Sequence, residues 1–320
     1  VETMTNSTSN VALDGNGNLR ITPVRNAAGN WTSGRIETNR TDFQPPAGGK
    51  LRVEARIQMP NVTGTAAEGY WPAFWMLGAP YRGNYQNWPS VGELDIMENV
   101  NGINKTWATM HCGTGSGGPC NETTGLGNST ACPNTTCQSG FHTYTMEWDR
   151  SVSPEAIRFY VDGVNYQTVT ASQVDATTWA NATNHGFFVI LNVATGGAFP
   201  AAFGGGPTSA TESGHPMLVD YVQVLSSSGS GTTPPPSGNR DAYSAIQAES
   251  YDSQSGTTTE ATSDTGGGSD LGGGPTSSPS PGPCAPRACA WARDPSPACR
   301  RASAPHARSR SPSGPRRAGS

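Results

Sequence analysis

GELDIMENV, residues 92–100, sets three acidic side chains, Glu93, Asp95 and Glu98, into an otherwise apolar run. Its first half alternates with the two-residue period of an extended strand, which puts Glu93 and Asp95 on one face and Leu94 and Ile96 on the other. Glu98, five positions from Glu93, falls on the wrong face of a regular strand. A β-bulge at Ile96 and Met97 makes two residues oppose one, shifts the phase by one and returns Glu98 to the face of the other two. Burying three carboxylates costs free energy unless partners or function compensate. The run therefore reads as a bulged strand carrying a functional site, against the alternatives of a solvated strand face and a Ca2+ or Mg2+ site built from the three carboxylates.

The chain around this run has the same texture. NVALD (10–14), LRITPV (19–24), GRIETN (34–39), LRVEARIQM (51–59), TYTMEW (143–148), IRFYVDG (157–163), FFVILNV (187–193) and MLVDYVQVL (217–225) are short strand-like segments separated by turn residues. This density of strands, with no sustained 3.6-residue period, predicts an all-β antiparallel sandwich over residues 1–225. FYVDG (159–163) carries the Asp-Gly signal of a tight hairpin. The one helical turn expected lies within 171–179, where Thr, Val and Asp make a weak helix former.

Only 14% of the residues are charged, so the surface relies on neutral hydrogen-bonding groups. Residues 1–274 hold 12 basic and 23 acidic groups and the remainder 8 and 1, so the formal net of −4 averages an acidic body and a basic end. An acidic body argues against a nucleic-acid partner, which requires clustered Lys and Arg. No run has transmembrane length, so no membrane partner is expected. SSSGSGTTPPPSG opens a linker at 226–240, a new module is expected at 241–274, and the Pro/Ala/Arg/Ser-rich tail 275–320 is expected to be disordered. Cys112, Cys120, Cys132 and Cys137 crowd one Gly/Asn/Thr-rich stretch and read as two disulfides of an oxidising compartment. Three pairings are open, with a lean to the local loops 112–120 and 132–137; a zinc site is the rival reading, without the C-x-x-C spacing. The opening VETMTNSTSN has no initiator Met and no apolar signal core, so any export leader has been removed or lies outside this sequence, and with the disulfides a secreted, extracellular protein is expected.

Two side-chain sets complete the candidate site. Trp71 and Trp75 in GYWPAFWMLG (69–78) share a face of an extended strand, where an indole offers a sugar ring a flat apolar platform; core packing is the alternative. The three carboxylates suit glycoside hydrolysis, in which one carboxyl attacks the anomeric carbon, a second protonates the leaving oxygen, and a charge between them tunes both.

ELDIME and the aromatic segment together resemble the E-x-D-x-x-E signature of glycoside hydrolase family 16 and the stretch that precedes it in laminarinase-like members. The likeness runs from about Thr5 to Leu225 and includes SGRI (33–36), RVEARI (52–57), GFHTY (140–144) and LNVATGG (191–197). The resemblance implies a β-jelly-roll sandwich with a concave cleft, Glu93 as nucleophile, Asp95 as helper and Glu98 as acid/base, with no cofactor for catalysis. It further implies that Arg35, His111 and Asn192 contact substrate and that Asp220 is the side-chain ligand of a structural Ca2+. The family's first strand or two are expected to be missing, which bears on that calcium site. The extra residue Met97 is the spacing of members that cut β-1,3-glucan, so the implied activity is an endo-1,3-β-glucanase acting as a monomer on β-glucan. Mixed-linkage 1,3-1,4-glucanase, transglycosylase and noncatalytic glucan-binding protein stay open. Residues 241–274 resemble the start of a family 6 carbohydrate-binding module.

Overall fold

In LRVEARI, Leu51, Val53, Ala55 and Ile57 are buried, while Arg52, Glu54 and Arg56 alternate onto the opposite face. The same two-residue alternation builds the rest of the domain. The computed structural model describes residues 2–228 and the backbone of 258–261 and 269–272. Most of the expected linker, most of the 241–274 segment and the whole 275–320 tail lie outside the described residues.

The first strands are β1 (Thr3–Met4), β2 (Val11–Leu13), β3 (Leu19–Ile21), β4 (Val24–Arg25), β5 (Trp31–Ser33) and β6 (Arg35–Glu37). They are followed by β7 (Lys50–Gln58), β8 (Tyr70–Gly78), β9 (Glu93–Glu98), β10 (Thr106–His111), β11 (Leu126–Thr130) and β12 (His142–Asp149). The last are β13 (Ala156–Val161), β14 (Val164–Thr170), β15 (Phe187–Thr195), β16 (Met217–Ser227), β17 (Thr258–Ala261) and β18 (Ser269–Gly272). Two large antiparallel sheets form the sandwich: six strands in the order β11-β10-β9-β8-β15-β6, and seven in the order β14-β13-β12-β7-β16-β3-β2. A small sheet, β1-β5-β4, includes a parallel β1/β5 pair, a local exception to the antiparallel pattern. β17 and β18 pair with each other.

The core lies between the two large sheets. Val53, Ala55 and Ile57 of β7 and Tyr144, Met146 and Trp148 of β12 meet Phe74, Met76, Leu94, Ile96 and Met97 from the six-stranded sheet. Asp162 and Gly163 both have positive φ, 49° and 77°, so the FYVDG hairpin turns tightly between β13 and β14 as its Asp-Gly pair predicts. The expected helical turn opens at Ala171 as a 3-10 turn, Ala171–Gln173, boxed by Thr170 and Gln173. A helix α1 (Ala176–Thr183) starts where the Asp175 side chain accepts from the backbone N–H groups of Thr177 and Thr178. The disulfides are the two local ones, Cys112–Cys120 and Cys132–Cys137. No helix among the described residues is long and apolar enough to cross a membrane.

Candidate active site

β9 is an interior strand, paired with β8 on one side and β10 on the other, and both pairings record the bulge. Asp95 lies opposite Trp75 and Thr109, and Glu98 opposite Ala73 and Trp107. Between those points β9 takes three steps while each neighbour takes two, so one extra residue is accommodated at Ile96–Met97. Ile96 and Met97 are both fully buried in the core. Glu93, Asp95 and Glu98 emerge together on the other face of the sheet, in a pocket of 290 Å³. Trp71, Ala73 and Trp75 of β8, Asn192 and Ala194 of β15, Arg35 of β6, Glu2 and Met4 complete its lining.

The carboxylates are held by specific donors. Trp71 Nε1 donates to Glu98 Oε1 at 2.7 Å, so this indole orients a carboxyl as well as offering a ring face. Trp75 Nε1 donates to Asn192 Oδ1 at 2.8 Å, and the Arg35 guanidinium stacks 5.0 Å over the Trp75 ring while pairing with Glu37 at 3.3 Å. Trp71, Trp75, Arg35 and Asn192 thus all line the pocket, and Trp75 touches both Asn192 and Arg35. His111 is not among the lining residues. On the neighbouring strand β10, opposite Glu93, its Nε2 lies 3.3 Å from Asp95 Oδ2 and its Nδ1 2.7 Å from Glu122 Oε2.

Burial first, then the charge of Asp95, pushes Glu98 up to about 8, against the pull of Trp71 and His111. Glu93 is raised as well, by burial and by Asp95, with the His111 charge and the Trp88 side chain acting in the opposite direction. Glu93 is only half-buried whereas Glu98 is 8% exposed. Water therefore reaches Glu93 more readily than Glu98. Burial pulls His111 down, but the carboxylates of Asp95 and Glu122 outweigh it and hold the ring up at about 11.

Glu93, Asp95 and His111 bring ligand-type atoms within 4.8 Å of one another. Both ring nitrogens of His111 face carboxylate oxygens, so with a proton on each the ring forms an ion-pair cluster with them. The implied calcium ligand has a guanidinium partner. Asp220 is the extra residue of a bulge in β16, where Val219 and Tyr221 oppose the adjacent residues Ile57 and Arg56. The bulge turns its carboxylate to Arg56 Nη1, 2.7 Å away. Ca2+ takes six to eight oxygens, backbone carbonyls and waters among them, and among the described residues no group of three or more His, Cys and carboxylate side chains includes Asp220.

Several site residues escaped the sequence reading. Glu122 is the lone acidic residue between Glu98 and Glu147, the one signal that could have marked it. Trp88 comes within 5.6 Å of the His111 ring from the loop after β8. Beyond Glu98, Phe199 packs edge-on against both Trp71 and Trp107, at 5.8 and 5.5 Å. Glu2 and Met4 reach the pocket through long-range packing that no local pattern encodes.

Comparison with known proteins agrees with this architecture. A crystal structure of endo-1,3-β-glucanase from Streptomyces sioyaensis is 85% identical and superposes with a TM-score of 0.70, covering 71% of this chain and 81% of that one. Endo-β-1,3-glucanase from Pyrococcus furiosus is 32% identical, with a TM-score of 0.54 over 68% of this chain and 78% of that one. Among curated proteins, a β-glucanase from Rhodothermus marinus is 35% identical over 54% of this chain and 56% of its own length. A keratan-sulfate endo-1,4-β-galactosidase from Sphingobacterium multivorum is 34% identical over 55% of this chain and 36% of its own length. The chain thus spans between about a third and just over half of these two curated relatives. The sequence profile of glycosyl hydrolases family 16 matches residues 3–222, and on that match, with the sandwich and the carboxylate row it carries, the chain belongs to glycosyl hydrolases family 16.

Proposed function

We propose that the chain is an endo-acting, retaining hydrolase of internal β-1,3-glucosidic bonds in laminarin-type glucan. The observation that carries this reading is the bulge in β9, which brings Glu93, Asp95 and Glu98 onto one pocket face. Glu93, the more hydrated carboxyl, attacks the anomeric carbon as a carboxylate. Glu98, enclosed and pushed up to about 8, donates its proton to the departing glycosidic oxygen. Asp95 supplies the negative charge that holds Glu98 protonated. Formation of the glycosyl ester removes the charge of Glu93, so Glu98 becomes more acidic and then takes a proton from the water that cleaves the ester. Trp75, fixed by Asn192 and Arg35, presents a ring to a sugar. No cofactor takes part in this scheme.

The β-1,3 assignment draws on the extra residue Met97 and on the likeness to the Streptomyces sioyaensis endo-1,3-β-glucanase. Action outside the cell, which the two disulfides support, and action as a monomer belong to the same proposal.

The test is hydrolysis of laminarin beside a mixed-linkage glucan, with product sizes and anomers followed, in the parent protein and in Glu93→Ala. The parent should release short oligosaccharides of retained configuration. Glu93→Ala should be inactive alone and recover turnover with azide, giving a glycosyl azide of opposite configuration. Near-normal hydrolysis by Glu93→Ala would refute the nucleophile. Products longer than the substrate would make the chain a transglycosylase, faster cleavage of mixed-linkage glucan would reassign the substrate, and binding without cleavage would make it a lectin-like protein.

A further inference from the structure

Glu122 lies outside the pocket lining, yet its side chain is wholly enclosed, 0% exposed. Both oxygens are engaged: Oε2 lies 2.7 Å from His111 Nδ1, and Oε1 accepts from the Cys112 backbone N–H at 3.0 Å. On the far side of the ring, His111 Nε2 lies 3.3 Å from Asp95 Oδ2. A neutral imidazole has one N–H and one lone pair, and a lone pair aimed at a carboxylate oxygen is repelled. A ring with a carboxylate at each nitrogen is satisfied only when both nitrogens carry protons.

The loop is shaped around this contact. Cys112, next in the chain to His111, is tied to Cys120, and Glu122 follows two residues later. Gly117 and Glu122 exchange backbone hydrogen bonds across the loop. Gly125, at φ +73°, passes so close that a Cβ there would sit 3.0 Å from His111 Cε1 and Nδ1. The groups facing or acting on the ring are Glu93 and Asp95 from β9, Glu122 from the loop and the Trp88 indole. Glu98 lies within electrostatic range, since the His111 charge lowers it.

We propose that Glu122 is a positioning residue that, carried by the Cys112–Cys120 loop, clamps His111 as a fixed imidazolium against Asp95 and so gives the carboxylate row a buried counter-charge. This rests on the glucanase reading for its consequence, though not for its geometry. The imidazolium offsets the repulsion among Glu93, Asp95 and Glu98, and it favours ionised Glu93 at working pH. Glu122 touches neither sugar nor reacting carboxyl and acts only through His111.

Ring 15N shifts of the histidine-labelled full chain, followed from pH 5 to 10, test the clamp, with His111 identified by its loss in His111→Gln. His111 should keep both protons past pH 9 in the parent. In Glu122→Gln its titration should fall by about two units or more, and kcat on laminarin should drop about tenfold or more with KM within about threefold. Glu122→Asp should restore part of both. A His111 that loses a proton below pH 8 in the parent, or titrates unchanged in Glu122→Gln, would overturn the proposal; the parent titration decides if the variant does not fold. A clamp present in a protein that cleaves no glucan would sink the functional reading alone. Cleavage with an early-titrating His111 would sink the clamp alone.

Discussion

Replacing Trp71 by Phe removes one proton donor from the site and leaves an aromatic ring beside Phe199. The Trp71 Nε1–Glu98 Oε1 bond is 2.7 Å long, and Glu98 is 8% exposed, so little solvent replaces the lost donor. Hydrogen bonds to charged groups contribute about 1.5–3 kcal/mol, and this one favours the carboxylate over the acid. If about 1.4 kcal/mol of that is specific to the charged form, its loss moves the Glu98 pKa up by about one unit. The parent value of about 8 would become about 9. Because Glu98 must be protonated to act as the acid, kcat/KM falls as pH rises through that pKa. The pH profile of kcat/KM on laminarin reads the free enzyme, so its basic limb should move to higher pH by about one unit in Trp71→Phe even where the weaker platform raises KM. A limb that stays in place or moves down would refute the claim that the indole N–H stabilises the Glu98 carboxylate.

Deleting Met97 should remove the bulge yet keep Glu98 on the pocket face; the protein should fold, with a loss of about 2–5 kcal/mol for the buried side chain, and its ratio of mixed-linkage to laminarin activity should rise. Loss of the near-ultraviolet circular dichroism signal would count against that register. Asp95→Asn should lower kcat less than loss of either glutamate does and should move the basic limb down, since the Asp95 charge raises Glu98; a basic limb at higher pH would contradict that sign. Glu98→Gln should become more stable relative to the parent as pH rises. A carboxyl held at about 8 when folded, against 4.5 for an ordinary one, contributes stability below pH 4.5 that is lost on the way up through 8. The melting-temperature difference between variant and parent should therefore grow from pH 5 to pH 8, and a constant difference would disprove the shift.

How much of this was legible in the sequence depended on whether the deciding contact was local. β7 and β9 announced themselves through side-chain period, and the bulge followed from one count, the five-residue interval between Glu93 and Glu98. The Asp162-Gly163 turn was readable for the same reason. Trp71 was legible as a pocket residue but not as the donor to Glu98, because that bond depends on β8 lying beside β9 in one register. Glu122 was invisible in role because ten residues of loop separate it from His111, and the disulfide-closed path brings them together. The Asp220–Arg56 pair was not legible because a second bulge, in β16, aims the carboxylate at Arg56, and nothing in LVDYVQV marks that extra residue.

The site's strand is fixed in register from both faces. Leu94, Ile96 and Met97 are fully buried on the core side, where each contributes about 1.5–3 kcal/mol by leaving water. A one-residue slip of β9 would turn them into the pocket and drive carboxylates into the core, losing that burial and adding the cost of unpaired buried charge. Hydrogen bonding to β8 on one edge and β10 on the other leaves no free edge along which a slip could begin. The acidic residues alone could not hold such a strand in place, since their repulsion favours spreading into water. Their apolar neighbours, the donor Trp71 and the facing His111 ring impose the geometry, which is why the carboxylate row sits on an interior bulged strand rather than on a loop.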